Sequence, residues 1–366
     1  MNYPQLDIYV NKIEENAAKL KEKLEAKNIK LTAVVKGLAG DTNVFKAYQQ
    51  AEVGSIADSR IENIIKFREV GYQGEALMLR IPMASEVEEI VRYTDVSLVT
   101  ELKIAELISK EAQRVDKKID LIVMVDIGDR REGILAADLA DLALKIEEMP
   151  NVIMKGIGTN LGCFAGIIPD ENNTKKLINI KKELETKLGR SLEILSAGNT
   201  AALRLLENDY LAAEISNLRV GEAVLLGTDI INESLIEGFN HYNFHLKAEI
   251  IELKEKPSNP EGEMAFGGQG RGQIIADKGL RQRAILAVGK QDIDYHGLYP
   301  ELEGVEVLGC SSDHLITDVT EAAGKLEVGD ILSFKINYSA MLRAMTSQYV
   351  TKNYICLLYT SPSPRD

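Results

Sequence analysis

Strand-like and helix-like stretches alternate along the first part of the chain, and this pattern restricts the possible folds more than any other feature. Short apolar runs recur at intervals of roughly thirty residues, separated by amphipathic stretches. Such alternation indicates parallel strands, because each helix returns the chain to the starting edge of the next strand. The runs predicted as strands span residues 31–36, 53–57, 75–80, 96–100, 119–127, 152–159, 192–197 and 215–219.

The number of these strand–helix units favours a closed barrel over an open sheet. Eight units lie within about 200 residues, whereas an open parallel sheet usually has fewer strands. We therefore predict an α/β fold, a (β/α)8 TIM barrel over residues 1–234. From about Leu235 the pattern changes to short alternating segments divided by Gly and Pro, which predicts a C-terminal β domain over residues 235–355.

Two further segments have patterns of their own. Residues 356–366 have no hydrophobic period and resemble translated sequencing adapter, so we predict a non-native tail. Gly267 to Gly272 is rich in glycine but follows no strand-to-helix unit. We interpret it as a loop between strands, with a phosphate-binding loop as the alternative.

Composition excludes several classes of partner. The formal net charge of -13 argues against nucleic acid and provides no basic face for an anionic membrane. The chain has three cysteines, no apolar signal run at its N-terminus and no apolar stretch of membrane-spanning length. These features predict a cytoplasmic protein whose cysteines are thiols.

Lys36 ends the buried run that begins at Leu31 and is followed by small residues that allow the backbone to turn. At such a strand end the stem of the lysine is buried, and loss of hydration favours the neutral amine. A neutral amine is the form that attacks an aldehyde and holds a Schiff base. The alternative is a lysine that only extends from the strand end to water.

Polar side chains also follow the other predicted strands. Barrel enzymes carry their chemistry at the carboxyl ends of the strands, so these residues are the candidates for a site. They are Lys36, Arg80, Asp126, Arg130, Arg131, Thr159, Asn160, Ser196, Asn199, Thr200 and Arg219.

The motifs at these strand ends resemble those of the alanine racemase family, pyridoxal-phosphate enzymes built from a barrel followed by a β domain. Val34-Val-Lys36 is similar to the strand that carries the family's Schiff-base lysine, and residues 124–133 are similar to its arginine-bearing segment. The other similar segments are residues 156–160 beneath the cofactor ring, residues 196–202 and 218–222 at the phosphate, and Asn337-Tyr338 near the C-terminus.

The resemblance implies a role for each matching residue. Lys36 would hold pyridoxal 5'-phosphate, and Arg131 would meet the substrate carboxylate. Arg219 would face the pyridine nitrogen, and because guanidinium keeps its proton, the ring would be a weaker electron sink that suits racemisation. The other implied cofactor contacts are Asn160, Asn199, Thr200, Gly221, Glu222 and Tyr338. The family also implies a head-to-tail homodimer in which each β domain closes the partner's barrel mouth.

Several positions depart from the family pattern. Lys290 replaces the acid/base tyrosine, Gly40 replaces a phosphate-binding tyrosine, Asn160 replaces a histidine and Met124 replaces a lysine. The segments 289–292 and 311–314 are similar to those of the ornithine racemase branch. We therefore expect a racemase of ornithine or another basic amino acid, with an alanine racemase as the alternative.

Racemisation needs a second proton-carrying group, because Lys36 can serve only its own face of the α-carbon. We expect His314 or Lys290 there, with Asp313 beside them, since histidine is the residue type that exchanges protons most readily near neutral pH. An ordinary histidine of the β domain is the alternative for His314. A cationic substrate side chain would meet one of three carboxylates, which are Asp292, Asp294 and Asp313.

Two other functions of the same fold stay open at the level of sequence. A metal-assisted lyase, similar to D-serine dehydratase or D-threonine aldolase, would hold its metal between a histidine and a nearby Cys or Asp. Cys310 and His314 are close in sequence, but the chain has no His-x-Cys or His-x-Asp, and we predict no metal. A non-catalytic pyridoxal-phosphate-binding protein would resemble the barrel alone and would need no second domain.

Overall fold

The computed structural model describes residues 2–231, 234–262 and 277–356, so the Gly267–Gly272 segment and residues 357–366 lie outside the described residues. The chain forms two compact units. One unit comprises residues 11–241, and the other combines the residues before 11 with those from 242 onward. Within the described residues, no helix is both long enough and apolar enough to cross a membrane.

The first strand, β1 (Gln5–Tyr9), belongs to the second unit. In the described part of the first unit, eight parallel strands close into a barrel in their order along the chain, which confirms the predicted fold class. Closure is made by pairing of the first and last of these strands, from Lys30 opposite Asn217 to Ala33 opposite Val220. The barrel strands are β2 (Lys30–Val34), β3 (Ser55–Asp58), β4 (Glu75–Met78), β5 (Val96–Val99), β6 (Ile119–Met124), β7 (Val152–Gly158), β8 (Ile194–Ser196) and β9 (Asn217–Val220).

Helices surround the barrel and present their apolar faces to it. Capping residues mark their ends. Asp41 caps the start of the helix Thr42–Gln50 by accepting hydrogen bonds from the N–H groups of Asn43 and Val44. Gly189 ends the helix Glu171–Leu188 in the left-handed conformation, at φ +68°. The helices are α1 (Val10–Glu25), α2 (Thr42–Gln50), α3 (Ile61–Glu69), α4 (Val87–Tyr93), α5 (Leu102–Arg114), α6 (Ala136–Glu147), α7 (Glu171–Leu188), α8 (Asp209–Glu214) and α9 (Glu222–Leu226). Short 3-10 helices span Lys36–Leu38, Ala84–Glu86 and Thr200–Glu207.

The second unit contains an antiparallel sheet whose long strand alternates between buried and half-exposed residues. Phe244, Leu246, Ala248 and Ile250 are fully buried, as expected for a sheet that packs on one face. The elements after residue 242 are β10 (Phe244–Pro257), β11 (Leu280–Leu286), a 3-10 helix (Tyr295–Gly297), β12 (Leu298–Pro300), β13 (Glu306–Cys310), β14 (Leu315–Asp318), β15 (Ile331–Ile336), α10 (Tyr338–Thr346) and β16 (Thr351–Ile355). The described strands follow the order β12-β15-β10-β11-β14-β13, and β1 pairs with β10 and β16.

The division of the chain differs from the sequence-based expectation at both of its limits. Residues 1–10 were expected in the barrel, but Gln5 to Ile8 pair with residues 244–247 and the same strand pairs with β16. The boundary between the units lies between residues 241 and 242 of the chain, whereas it was expected between residues 234 and 235. The first difference arises because the pairing partners of β1 are distant in sequence, and a local pattern does not specify them. The second arises because residues before 242 bond to the barrel unit: the N–H of Ile236 donates to Gly227, and the N–H of Asn240 donates to Asn16.

Candidate active site at the barrel mouth

Lys36 lies directly beyond the carboxyl end of β2, where the backbone turns. The N–H of Val35 still donates to Ala57 of the neighbouring strand at 2.9 Å, and the 3-10 helix begins at the lysine. Ala39 and Gly40 then adopt left-handed conformations. The Lys36 side chain is half-buried and has no hydrogen bond or ion pair with any residue that the structure describes. Its amine is therefore available to a ligand.

Arg219 lies on β9, next to β2, and is held firmly. One guanidinium nitrogen donates to the carbonyl of Thr159 at 2.6 Å, and the other donates to the hydroxyl and carbonyl oxygens of Ser196. The side chain is 2% exposed. Burial lowers the pKa of Arg219 to about 10, so the guanidinium keeps its proton at neutral pH.

A chain of buried hydrogen bonds runs from Arg219 through the barrel interior. The Ser196 hydroxyl donates to Asn217, and the Asn217 amide donates to Thr32 at 2.9 Å. The Thr32 hydroxyl lies 3.0 Å from the Ser55 hydroxyl, which donates to Glu75 at 2.8 Å. Each of these polar groups has a partner, as a buried network requires, and the chain fixes the orientation of Arg219.

The two predicted phosphate segments approach each other at the barrel mouth. The Thr200 hydroxyl accepts the N–H of Ala223 at 3.4 Å, which joins the start of the Thr200–Glu207 helix to the start of α9. A Cβ at Gly221 would lie 3.1 Å from both the Cβ and the carbonyl oxygen of Val34, so any larger residue here would crowd β2. The predicted contact Glu222 accepts a hydrogen bond from the Thr228 hydroxyl at 2.8 Å.

Asn199 and Asn160 form an amide pair between these segments and β7. The Asn199 amide nitrogen donates to Asn160 at 3.1 Å, to Leu161 at 2.8 Å and to the Cys163 thiol at 3.1 Å. The Asn199 amide oxygen caps the next helix by accepting the N–H of Ala201. The amide nitrogen of Asn160 is buried and has no partner within the described residues, so this donor is free to bind an acceptor on a ligand.

Arg131, the predicted carboxylate-binding residue, is already paired. Its guanidinium donates twice to Glu132, once at 2.5 Å, and this hydrogen bond raises its pKa. Glu132, Arg131 and Cys163 all influence the pKa of Arg219. A substrate carboxylate would therefore have to share Arg131 with Glu132. The other strand-end candidates also bond locally: Arg80 binds both oxygens of Glu86, and Arg130 binds Asp126 at 3.2 Å.

Sequence reasoning missed Asp58, the last residue of β3. Its side chain is fully buried, and one carboxylate oxygen accepts the N–H of Arg60 at 2.9 Å and the Asn63 amide at 3.1 Å. The other oxygen has no described partner. Burial raises the pKa of Asp58 to about 6, against the opposing influence of hydrogen bonds from Arg60, Asn63 and Ser59. Its position at a strand end was the available signal, because the same rule selected Lys36.

In the second unit, the segments that carry the other predicted residues are joined by backbone hydrogen bonds. The N–H of Lys290 donates to Ser311 at 2.9 Å, and that of Gln291 donates to Ser312 at 3.2 Å. A Cβ at Gly289 would lie 1.9 Å from the Ser312 carbonyl, so glycine is required there. The structure therefore places Lys290 beside the segment of Asp313 and His314, and all three side chains are exposed.

A cavity of about 440 Å³ opens next to these segments. Asp292 and Asp313 line it, together with apolar residues such as Ile251 and Val288. Asp292 is buried and accepts the Ser347 hydroxyl at 2.7 Å, whereas Asp313 is exposed and accepts the Gln291 amide at 2.8 Å. The cavity thus combines two carboxylates with an apolar wall, which suits a cationic group on an aliphatic stem.

The remaining predicted residues are part of the local structure. Asp294 does not line the cavity; it accepts hydrogen bonds from Ser339 at 2.7 Å and from His296. Although burial raises the pKa of Asp294, these bonds keep it below its ordinary value. Tyr338 is half-buried at the start of α10. Cys310 is buried, which raises its pKa to about 11, and the described residues contain no group of three or more His, Cys, Asp or Glu able to hold a metal.

Known proteins match the chain over most of its length. The family model "Alanine racemase, N-terminal domain" matches residues 8–229. An ornithine racemase from Acetoanaerobium sticklandii is 40% identical over 96% of this chain and 100% of its own length. A lysine racemase from Thermotoga maritima is 40% identical over 97% of this chain and 99% of its own. The fold is similar to that of Bartonella henselae alanine racemase with covalently bound pyridoxal phosphate, with a TM-score of 0.71, 17% identity and coverage of 96% and 99%.

Proposed function

The chain belongs to the alanine racemase family, and we propose that it interconverts the L- and D-enantiomers of a basic amino acid, with ornithine as the first candidate. Family membership makes it an isomerase, an amino-acid racemase that uses pyridoxal 5'-phosphate. The proposed substrate class has two supports. Two full-length relatives are an ornithine and a lysine racemase, and the cavity of the second unit carries two carboxylates.

The residues at the barrel mouth fit this cofactor. The unpartnered amide nitrogen of Asn160 is the observation that carries the assignment, because a buried donor without an acceptor is costly unless a ligand supplies one. Lys36, just beyond the end of β2 and so next to the strand of Arg219, offers an amine without a partner among the described residues. Thr200 and Gly221 begin the two helices that approach each other, and hydroxyl and N–H groups of this kind bind phosphate.

Each residue has a distinct task in the proposed reaction. When bound, pyridoxal phosphate withdraws electrons from the α-carbon and so allows the α-proton to leave. Lys36 removes or returns that proton on its own face, and Lys290 or His314 does so on the opposite face. Arg219 keeps its own proton and supplies none to the pyridine nitrogen, while Arg131 orients the substrate carboxylate.

The side chain of the substrate would occupy the cavity that Asp292 and Asp313 line. A cationic amine pairs with carboxylates, whereas the methyl group of alanine carries no charge and forms no such pair, so the cavity favours basic side chains. Asp313 is the better candidate for direct contact, because it is exposed and Asp292 is buried against Ser347.

The function is tested by incubating the purified protein and its cofactor with L-ornithine, L-lysine, L-alanine and L-serine, followed by chiral chromatography. We expect D-ornithine or D-lysine to form fastest. Formation of D-alanine alone would contradict the substrate class, and absence of every D-product would contradict the racemase. Borohydride reduction and peptide mapping should locate the pyridoxyl group on Lys36; its presence on Lys290 would overturn the assignment.

The role of the cavity is tested with a matched pair of carboxylate variants. Asp313→Asn should raise KM for ornithine by about tenfold, because the pairing with the amine is lost. Asp294→Asn is the control, since Asp294 bonds to Ser339 and His296 outside the cavity. Equal effects of both variants on KM would argue against the cavity as the side-chain site.

We propose that the enzyme is a head-to-tail homodimer in which each β unit closes the partner's barrel mouth. This arrangement would exclude water from the cofactor. A fully active monomer in sedimentation and dilution assays would refute it.

We also propose that the protein is located in the cytoplasm, because Cys163, Cys310 and Cys356 are free thiols in the structure.

A further inference from the structure

Arg219 is a buried cation that no carboxylate meets directly. Its side chain has no ion pair with any carboxylate that the structure describes, and its hydrogen bonds go to neutral oxygens of Thr159 and Ser196. A buried charge is costly unless such bonds are made. The Ser196 hydroxyl is the variable partner, because a hydroxyl group can either accept from Arg219 or turn its own proton towards it.

The bonds of Asn217 determine the direction of the Ser196 hydroxyl. The amide nitrogen of Asn217 donates to the carbonyl oxygen of Lys30 at 3.2 Å, and a carbonyl can only accept. The amide oxygen of Asn217 therefore faces Ser196, and the Ser196 hydroxyl donates to it. Because its single proton is used in this way, Ser196 presents a lone pair to Arg219.

The same count of protons extends across the barrel to Glu75. Its carboxylate accepts the Ser55 hydroxyl at 2.8 Å, and a carboxylate can only accept. Ser55 has no second proton, so the Thr32 hydroxyl donates to it across 3.0 Å. Thr32 in turn accepts from the amide nitrogen of Asn217 at 2.9 Å. Every bond between Arg219 and Glu75 is thus donated in one direction, from the guanidinium towards the carboxylate.

The register of the barrel strands sets the members of this chain side by side. The pairs that lie opposite each other in neighbouring strands are Ser196 with Asn217, Thr32 with Arg219, and Ser55 with Glu75. All four groups between Arg219 and Glu75 are buried, whereas the Glu75 side chain is 29% exposed and pairs with Lys30 at 2.7 Å. Glu75 is therefore the solvent end of a chain whose other end is the buried guanidinium.

We propose that Glu75 is a positioning residue for Arg219. It accepts the proton of Ser55, so that Thr32 can donate to Ser55 and accept from Asn217. Without Glu75, one of the two hydroxyl protons has no acceptor in the chain unless the Asn217 amide turns over. A turned amide would present its N–H group to Ser196, and Arg219 would lose its acceptor.

This inference rests on the proposed function, in which Arg219 faces the pyridine nitrogen of the cofactor. Glu75 begins β4, so it lies at the end of the barrel opposite the strand ends that carry the candidate site. It acts on the site through Arg219, and it contributes an acceptor atom rather than its charge.

The first test observes the Arg219 guanidinium by NMR in the full-length protein with isotope-labelled arginine, so it does not depend on activity. Arg219→Lys identifies the Arg219 signals by removing them, and Ser196→Ala shows which nitrogen bonds to Ser196. Glu75→Ala should increase the solvent-exchange rate of the protons on that nitrogen by about fivefold, because its hydrogen bond weakens. The nitrogen bound to Thr159 reports general loosening and should change by less than about twofold. An unchanged rate at the nitrogen bound to Ser196 would overturn the proposal.

Two variants separate the acceptor atom from the charge. Glu75→Gln keeps an oxygen that accepts from Ser55 but removes the charge, so the exchange rate should stay within about twofold of the wild-type rate. Lys30→Ala removes the ion pair and leaves the bond to Ser55, so it should have no larger effect. If either variant accelerates exchange as much as Glu75→Ala does, the charge or the ion pair is responsible and the proposal fails.

A double variant tests whether Glu75 acts through the chain. Ser55→Ala leaves Glu75 paired with Lys30 but interrupts the chain, so it should raise the exchange rate about as much as Glu75→Ala does. Adding Glu75→Ala to Ser55→Ala should have no further effect, since the path to Arg219 is already broken. Additive effects would overturn the proposal. If Glu75→Ala does not fold, Ser55→Ala still decides the question, because an unchanged exchange rate in that variant would overturn the proposal.

The second test uses the cofactor-loaded enzyme. Glu75→Ala should lower kcat about three- to tenfold and change KM less than about twofold, because Arg219 would act on the bound cofactor and not on substrate binding. Glu75→Gln should retain the wild-type kcat. If wild-type protein racemises no amino acid, the proposed function fails while the exchange rates still decide the role of Glu75. If the wild type is active and kcat is unchanged in Glu75→Ala, the inference fails alone.

Discussion

Lys36 and Arg219 end neighbouring strands of the same barrel, yet the structure holds them in opposite ways. Arg219 is fully buried, donates to Thr159 and Ser196, and terminates a continuous chain of hydrogen bonds. Lys36 is half-buried and has no hydrogen bond or ion pair with any described residue. The difference suits the proposed tasks, because a group that sets the electronic state of a ring must stay still whereas a group that carries a proton must move.

The largest expected effect comes from removing the Lys36 amine. Lys36→Ala should lower racemisation at least about 10³-fold, because both cofactor attachment and proton transfer on one face are lost. Its free energy of unfolding should change by less than about 1 kcal/mol, since the amine makes no bond in the described structure. Chiral chromatography and urea denaturation measure the two quantities, with Lys118→Ala as an active control. More than a tenth of wild-type activity in Lys36→Ala would remove Lys36 from the mechanism.

The next effect concerns the fixed group and its hydrogen-bond chain. Asn217→Ala leaves the Ser196 and Thr32 hydroxyls without their buried partner, which should cost about 2–3 kcal/mol of unfolding free energy. Ser109→Ala is the comparison, because Ser109 is also buried but makes one hydrogen bond, to Pro150, and should cost about 1 kcal/mol. Equal losses in urea denaturation would show that the chain beneath Arg219 is no more than a sum of independent bonds.

The third prediction is a gain of stability when Asp58 is replaced by an uncharged residue. The folded-state pKa of Asp58 is raised from 3.8 to about 6, so the folded protein binds a proton more tightly than the unfolded chain does, and stability falls as pH rises through this window. Asp58→Asn should therefore raise the unfolding free energy of cofactor-free protein by about 1–3 kcal/mol at pH 7. The gain should disappear below about pH 4. A variant that is less stable than wild type at pH 7 would show that Asp58 is chiefly a structural residue.

The smallest expected effect comes from removing one of the hydrogen bonds that the Asn199 amide makes. Asn199 donates to the Cys163 thiol, but it also donates to Asn160 and Leu161, so Cys163→Ala removes one contact of several. We expect a change below about 0.5 kcal/mol in unfolding free energy and below about twofold in racemisation rate. A loss above 1 kcal/mol would show that this cluster depends on the thiol.

Much of the barrel half of the site could be predicted from the sequence. The recurring apolar runs gave the barrel strands to within a few residues, and the rule that polar residues at strand ends carry chemistry selected Lys36 and Arg219. The order and spacing of the motifs then identified the family and its cofactor. Asp58 satisfies the same rule, because it directly follows the predicted strand 53–57, but it was not selected, and only the structure shows that its side chain is fully buried.

Sequence by itself determined the barrel, the β domain, the lysine at the strand end and the family, because each depends on a local period or a contiguous motif. Tertiary structure alone decided that β1 joins the distant sheet, that Arg131 is paired with Glu132, and that Asp58 has a carboxylate oxygen without a described partner. The physical reason is that pairing and desolvation depend on groups far apart in sequence. Whether a carboxylate is solvated, paired or buried is set only when the folded chain brings its neighbours together.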